Sequence, residues 1–157
     1  MKVFETIDSI RGATRFSLWR ERWADKESVS LGSYVSDELH PEDALIFSKL
    51  LFPDFVEVDG CVVLKSKFDM NNFLIWMAKM DGVTSSVERI LNHTHMYDIF
   101  GGCEDDVSDL IFEQLGRVIA FSWGQALKKN FPEKIFCVDF SFSDTDYGPV
   151  VTFWQEN

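Results

Sequence analysis

The chain has 157 residues, the usual length of one domain with one core, and 46% of them are hydrophobic. With 15 Phe and 5 Trp the composition excludes a disordered chain, and no apolar run is long enough to cross a bilayer. The formal net charge is -11, and residues 37–157 alone have a balance of -12. Such an acidic surface repels nucleic acid and attracts basic proteins, although acidity by itself also keeps a protein soluble.

These totals predict a single domain over residues 1–157 in the cytoplasm. The N-terminus carries Glu5 and Asp8, where a signal peptide needs an uninterrupted apolar segment. The cysteines are odd in number and widely spaced, which predicts neither a disulfide framework nor a zinc site of four thiolates: Cys61, Cys103 and Cys137.

The first third of the chain has little periodicity. Aromatic residues and arginines are mixed in RFSLWRERW, and we predict a short helix near residues 12–24, followed by a loop at Gly32 and Ser33. The pattern is clearer over Pro41–Leu51, where a proline in the first turn is followed by two acidic residues. That arrangement predicts a helix.

The middle of the chain predicts a β-hairpin and two helices. The pair Asp59-Gly60 suits a two-residue turn with positive φ, between strands Phe55–Val58 and Cys61–Lys65. A helix over Asn71–Lys79 follows and ends before a glycine. The hydroxyl residues that come next predict the N-cap of a further helix over Ser85–Phe100.

The clearest helical pattern covers Val107–Asn130. Its apolar residues, Trp123 among them, recur at the spacing of one helix face for six turns. Asp105 and Asp106 lie where an N-cap and the helix dipole favour a carboxylate, and Pro132 prevents continuation. Small residues recur every fourth position and predict a groove in which a sheet lies across the helix: Gly116, Ala120 and Gly124.

After this helix the period changes to two. In KIFCVDFSF and again in PVVTFWQ, apolar and polar residues alternate on either side of a polar loop, which predicts an antiparallel hairpin. The phenylalanine-rich face of this hairpin should pack on the helices. The whole pattern predicts an α+β fold, with an antiparallel sheet of about four strands in two hairpins and helices mainly on one face.

The most suggestive polar cluster is NHTHMYD, residues 92–98. His93, His95 and Asp98, with Cys103 beyond them, are residue types that bind zinc or iron. On the predicted helix, however, the two histidines point about 200° apart and do not face one ion. We therefore predict no metal ligand and no cofactor, and expect one histidine to brace the helix by donating to a carboxylate or carbonyl. A metal-dependent or catalytic site in this helix remains the alternative.

Two acidic groups lie beside predicted element ends, one before the long helix and one in the last hairpin. Helix capping and solvated turns explain carboxylates in such places as well as partner binding does. The sequence D-T-D is too short for a calcium loop, and no phosphate loop, nucleophile elbow or H-E-x-x-H motif indicates a catalytic residue. The predicted partner-binding residues are Glu104, Asp105, Asp106, Asp109, Asp139, Asp144 and Asp146.

Three elements of residues 84–155 together resemble bacterial immunity proteins. They are the N-H-x-H-x-x-D segment, the F-P after the long helix and the final Y-G-P-x-V-T-F-x-Q strand. In particular the chain is similar to immunity proteins of contact-dependent growth inhibition and related polymorphic toxin systems. The resemblance implies an α+β protein without catalytic activity that binds a cognate toxin domain, often a nuclease, and blocks it.

This resemblance and the acidic charge lead to the same expectation about function. A nuclease needs a basic cleft for its substrate, and an acidic inhibitor can cover that cleft in a one-to-one complex. The alternative is a small metal-dependent enzyme or binder that uses His93, His95 and Asp98. An adaptor for some other basic protein fits the same charge.

Overall fold

The computed structural model of the chain describes residues 2–103, 106–143 and 147–156. They form an α+β protein with antiparallel sheets, which confirms the predicted class. None of the helices in these residues has the length and apolarity that a bilayer span requires. In chain order the elements are α1 (Thr14–Arg20), α2 (Leu31–Glu38), α3 (Pro41–Leu51), β1 (Phe55–Val58), β2 (Cys61–Leu64), α4 (Met70–Lys79), α5 (Thr84–Leu91), β3 (Thr94–His95), α6 (Met96–Ile99), α7 (Asp109–Asn130), β4 (Phe136–Ser141) and β5 (Val150–Gln155).

The described strands form two sheets, so the prediction of a single sheet of about four strands is wrong. In the β1-β2 hairpin, Asp59 and Gly60 have φ of 46° and 81°, as the predicted turn requires. The second sheet has the order β3-β5-β4 and contains the predicted hairpin of β4 and β5. Among the described strands, β3 pairs only with Val150 and Val151, so the rest of that β5 edge has no strand beside it.

The side chains of Glu88 in α5 and of Asn92, its C-cap, lie between the edges of β2 and β5. The carboxylate of Glu88 accepts hydrogen bonds from the backbone N–H groups of Val62 at 2.7 Å and Gln155 at 2.6 Å. Asn92, one turn later, bonds three more backbone groups: the N–H of Leu64 at 2.9 Å and the carbonyls of Val62 at 3.0 Å and Phe153 at 3.2 Å. Both side chains are fully buried. They satisfy strand edges that would otherwise be buried without partners.

The main hydrophobic core lies between α7 and the three-stranded sheet. Trp123 is buried there, its ring 6.0 Å from that of Phe153, and its Nε1 donates to the carbonyl of Leu50 at 2.8 Å. The predicted groove on α7 is confirmed, because a Cβ on Gly116 would lie 2.5 Å from the ring of Phe140 on β4. The glycine therefore lets the sheet approach the helix closely.

The first third of the chain differs from its prediction. α1 is shorter than the helix predicted near residues 12–24, and the predicted loop at Gly32 and Ser33 is wrong because both residues lie in α2. Ser30 starts α2 with a capping box: its Oγ accepts from the N–H of Ser33, and the Ser33 Oγ accepts from the N–H of Ser30. A serine stands where glutamate or glutamine usually completes this motif, which hid the signal.

The predicted helix over Ser85–Phe100 is also wrong. α5 ends at Leu91, and the remaining residues form β3 and the short helix α6. The helix ends because the backbone of Thr94 and His95 pairs with Val151 and Val150 of β5, while the side chain of Asn92, the C-cap of α5, reaches the strand edges. The expected hydroxyl cap is absent, since Val83 is the N-cap and no side chain caps α5.

Truncation of Trp123 tests the main core. We expect Trp123→Ala to lower the free energy of unfolding by about 3–5 kcal/mol, because it removes a buried ring and the donor to Leu50. Chemical denaturation followed by circular dichroism measures this change. Phe121→Ala is the control, since Phe121 lies on the same helix but is 46% exposed and should cost clearly less. Equal losses in both variants would contradict the position of Trp123 in the core.

The isosteric change Asn92→Asp tests the junction between the sheets. It keeps an acceptor for Leu64 but removes the donor to the carbonyls of Val62 and Phe153, which would then face a carboxylate. Two buried groups without partners should cost about 2–6 kcal/mol of unfolding free energy in the same assay. The exposed Asn71→Asp should be nearly neutral. A loss no larger than that of Asn71→Asp would mean that the amide does not hold the sheets together.

Candidate functional site

The break after α5 brings His93 and His95 to one side of the chain. Residues two apart on an extended segment project from the same face, whereas they diverge on a helix. The Nε2 atoms of the two rings are 3.1 Å apart, with the ring centroids 4.7 Å apart. The prediction that these histidines point away from each other is therefore wrong.

A backbone carbonyl fixes the orientation of His95. Its Nδ1 lies 2.8 Å from the carbonyl oxygen of Tyr147, and because a carbonyl only accepts, this nitrogen carries the proton. The neutral ring then has its lone pair on Nε2, the atom that faces His93. The predicted bracing role of a histidine is confirmed for His95, although it braces a strand and the loop before β5 instead of a helix.

Lys67 holds the other side of this turn. Its Nζ donates to the backbone carbonyl of His93. Burial lowers the pKa of Lys67, and the nearby Asp98 carboxylate opposes that effect. Asp98 thus acts on Lys67. Among the described residues no hydrogen bond joins Asp98 to His95, although the two side chains could have met on the predicted helix.

Tyr97 connects three parts of the chain. Its hydroxyl donates to the Oδ1 of Asp109 at 2.6 Å, at the start of α7. Its ring packs 5.6 Å from that of Tyr147 and 4.9 Å from that of Phe112. Gly148 has φ of 74°, and a Cβ there would lie 2.5 Å from the Tyr97 ring. The Tyr147-Gly148 pair therefore suits both the turn and the close approach of the aromatic ring.

The predicted acidic residues fall into three situations. Asp106 is exposed, and Asp109 accepts a hydrogen bond from the hydroxyl of Tyr97. Neither residue caps α7, because its N-cap is Ser108, whose side chain makes no capping hydrogen bond. The predicted capping role of Asp106 is therefore wrong. Asp139 is exposed on β4, on the face opposite Phe140 and so away from α7. The remaining four lie outside the described residues: Glu104, Asp105, Asp144 and Asp146.

Two of the thiols, Cys61 and Cys137, are not activated as nucleophiles. Burial raises the pKa of Cys61 to about 11, with the negative charge of Glu88 adding to the effect. Burial also raises the pKa of Cys137. Cys103 is exposed. In the described part of the chain, no three His, Cys, Asp or Glu side chains gather closely enough to hold a metal ion.

Sequence reasoning missed Lys67, Tyr97 and Tyr147 as parts of this site. One signal was present in the sequence: β-branched Thr94 separates two histidines with the period of a strand. The contacts with Lys67 and Tyr147 join residues 26 and 52 positions apart, which no local pattern reveals.

The chain matches no protein family, no curated protein and no solved structure.

The Tyr97–Asp109 contact makes a prediction about pH. The hydrogen bond to Asp109 raises the pKa of Tyr97, because the carboxylate favours the neutral phenol, and burial adds to this effect. Its contribution to stability is complete below the ordinary tyrosine pKa of about 10 and is lost as pH rises through the higher folded value. A titration of tyrosinate absorbance should show one tyrosine above the usual range.

Asp109→Asn should lower the pKa of Tyr97, and Tyr97→Phe should remove its titration altogether. Asp106→Asn is the matched control, because it removes the same charge from an exposed neighbour without breaking the hydrogen bond. A Tyr97 titration that Asp109→Asn leaves unchanged would contradict the assigned cause.

Proposed function

We propose that this protein is an immunity-type inhibitor that binds a cognate basic toxin domain, most simply a nuclease, and covers its active site or substrate surface. The observation that carries the proposal is the balance of -12 in residues 37–157. The inhibitor has no catalytic activity of its own in this proposal. It acts in the cytoplasm as one chain on one toxin domain.

The acidic charge is only partly compensated within the protein. Within the described part of residues 37–157, ion pairs engage four carboxylates: Glu38, Asp54, Glu57 and Glu113. The remaining carboxylates add to one negative field. Such a field raises the association rate with a basic partner and repels nucleic acid.

The contacts of Tyr97 favour one end of the molecule for the partner. Asp106 and Asp109 precede and start α7, and Tyr147 directly follows Asp146 in the sequence. Tyr97 contacts both Asp109 and Tyr147, so the described ends of the two acidic segments meet. Tyr147 is 64% exposed, and tyrosine is enriched among residues that dominate binding energy. Asp139, on the outer face of β4, belongs to this proposed surface less directly.

The second candidate function, a metal-dependent enzyme or binder, is favoured by the histidine pair alone. In the part of the chain that the structure describes, no third ligand accompanies it, and burial raises the pKa of Cys61 and of Cys137. The geometry thus favours a binder over an enzyme for this alternative. An adaptor for another basic protein would use the same charge as the toxin inhibitor.

Association rates measured at low and high salt test the acidic surface. The first step is to inspect the neighbouring gene for a large secreted protein with a toxic C-terminal domain, which is then immobilised for surface plasmon resonance. Asp106→Asn/Asp109→Asn should slow association at low salt by about tenfold and flatten its salt dependence, since rim charges act mainly on encounter. We expect Asp144→Asn/Asp146→Asn to speed dissociation as well, at a cost of about 2–5 kcal/mol if these side chains meet toxin Arg or Lys.

Asp59→Asn/Asp81→Asn is the matched control. It removes the same charge from two turn residues with positive φ, a conformation that asparagine also accepts. Its effect should be smaller than that of either cluster variant. Unchanged rates for both cluster variants at both salt concentrations would overturn the acidic-inhibitor mechanism.

A further inference from the structure

We propose that His93 and His95 together bind one divalent transition-metal ion of the Zn²⁺, Ni²⁺ and Cu²⁺ class through their Nε2 atoms. Imidazole nitrogen is a preferred ligand of these ions. This site is independent of the proposed toxin inhibition and does not require a toxin to be present.

The spacing of the two nitrogens suits one ion. Two ligands at about 2.0–2.1 Å from a metal lie about 2.9–3.4 Å apart for angles between square-planar and tetrahedral. The Nε2 atoms of His93 and His95 are 3.1 Å apart. They are also closer than the ring centroids at 4.7 Å, so the nitrogen edges of the rings face each other.

The surroundings select the tautomer that binds metal. Metal-bound histidines usually donate their other ring N–H to a carbonyl or carboxylate, which fixes the ring and raises its basicity. Nδ1 of His95 makes that bond to the Tyr147 carbonyl at 2.8 Å. The lone pair of the neutral His95 ring is therefore on Nε2, the atom that faces Nε2 of His93.

The backbone that carries the two rings is held from several sides. Thr94, between them, pairs with Val151 in the sheet, and its Oγ1 donates to the carbonyl of Asn92 at 2.9 Å. The N–H of Met96 donates to the carbonyl of Pro149 at 2.8 Å. Little ordering of the backbone is then needed when an ion binds, which favours affinity.

A proton occupies the same space in the metal-free protein. Because Nδ1 of His95 is a donor, its Nε2 accepts, and the Nε2–H of His93 is the donor between the rings. The ion takes the lone pairs of both Nε2 atoms, while His93 gives its Nε2 proton to water and takes a proton on Nδ1, so that both rings remain neutral imidazoles. Because His93 is exposed, water can reach the remaining positions of the ion.

Lys67 places a positive charge beside this site. Its ammonium donates to the backbone carbonyl of His93, and its charge opposes cation binding. Asp98 lies close enough to offset part of that charge. The balance favours an ion that binds chiefly through nitrogen lone pairs rather than through the electrostatic field, in agreement with the transition-metal class.

Isothermal titration calorimetry of the full chain with zinc chloride or nickel chloride tests the site. We expect one ion per chain, and at least about tenfold weaker binding for His93→Gln and for His95→Gln. His40→Gln is the matched control, because His40 is the third histidine and caps α3 by itself with Nδ1 accepting from the N–H of Glu42. Binding that both pair variants retain, or that His40→Gln removes, overturns the proposal.

Electron paramagnetic resonance of the wild-type protein with Cu²⁺ gives an answer that does not depend on how well the variants fold. Two imidazole nitrogens should couple to the bound copper. Coupling to one nitrogen or to none overturns the proposal, because the pair would then be joined by a proton only.

Discussion

Glu88 and Asn92 hold two sheets together that have no backbone ladder between them, and the rest of the fold depends on this junction. Their side chains bond backbone groups of β2 and β5 at Val62, Leu64, Phe153 and Gln155. A buried strand edge without partners would cost about 1–3 kcal/mol for each group, whereas each bond adds only about 1 kcal/mol of net stability. Removing either side chain should therefore cost more free energy of unfolding than its hydrogen bonds contribute. The two side chains let hairpins from distant parts of the sequence share the covering helices.

The same junction creates the histidine site. Asn92, the C-cap of α5, anchors the end of the helix at the two strand edges, and the chain then runs on beside β5. In that extended segment His93 and His95 share a face, and the loop before β5 supplies the carbonyl that orients His95. A structural requirement of the sheets thus places two imidazole nitrogens at the separation of metal ligands.

Tyr147 contacts both the histidine pair and the proposed partner-binding surface. Its carbonyl accepts from His95, and its ring contacts the rings of both His95 and Tyr97. Tyr97 in turn bonds Asp109 at the start of α7. A partner that binds the acidic surface would contact Tyr147 as well. An ion on the histidine pair would then lie close to that interface, where its open positions are available to donors from the partner.

The sequence by itself determined the elements whose cause is local. Hydrophobic periodicity and the residues that end helices and strands predicted α7, α3 and both hairpins. These signals, among them proline and the Asp59-Gly60 turn, act within a few residues. It also determined the α+β class and the acidic balance. Only the tertiary structure decided how the hairpins are joined, where α5 ends and which histidines meet. The physical reason lies in Thr94 and His95: their backbone pairs with Val151 and Val150 of β5, far along the sequence, and that long-range pairing overrides the local preference for a continuous helix.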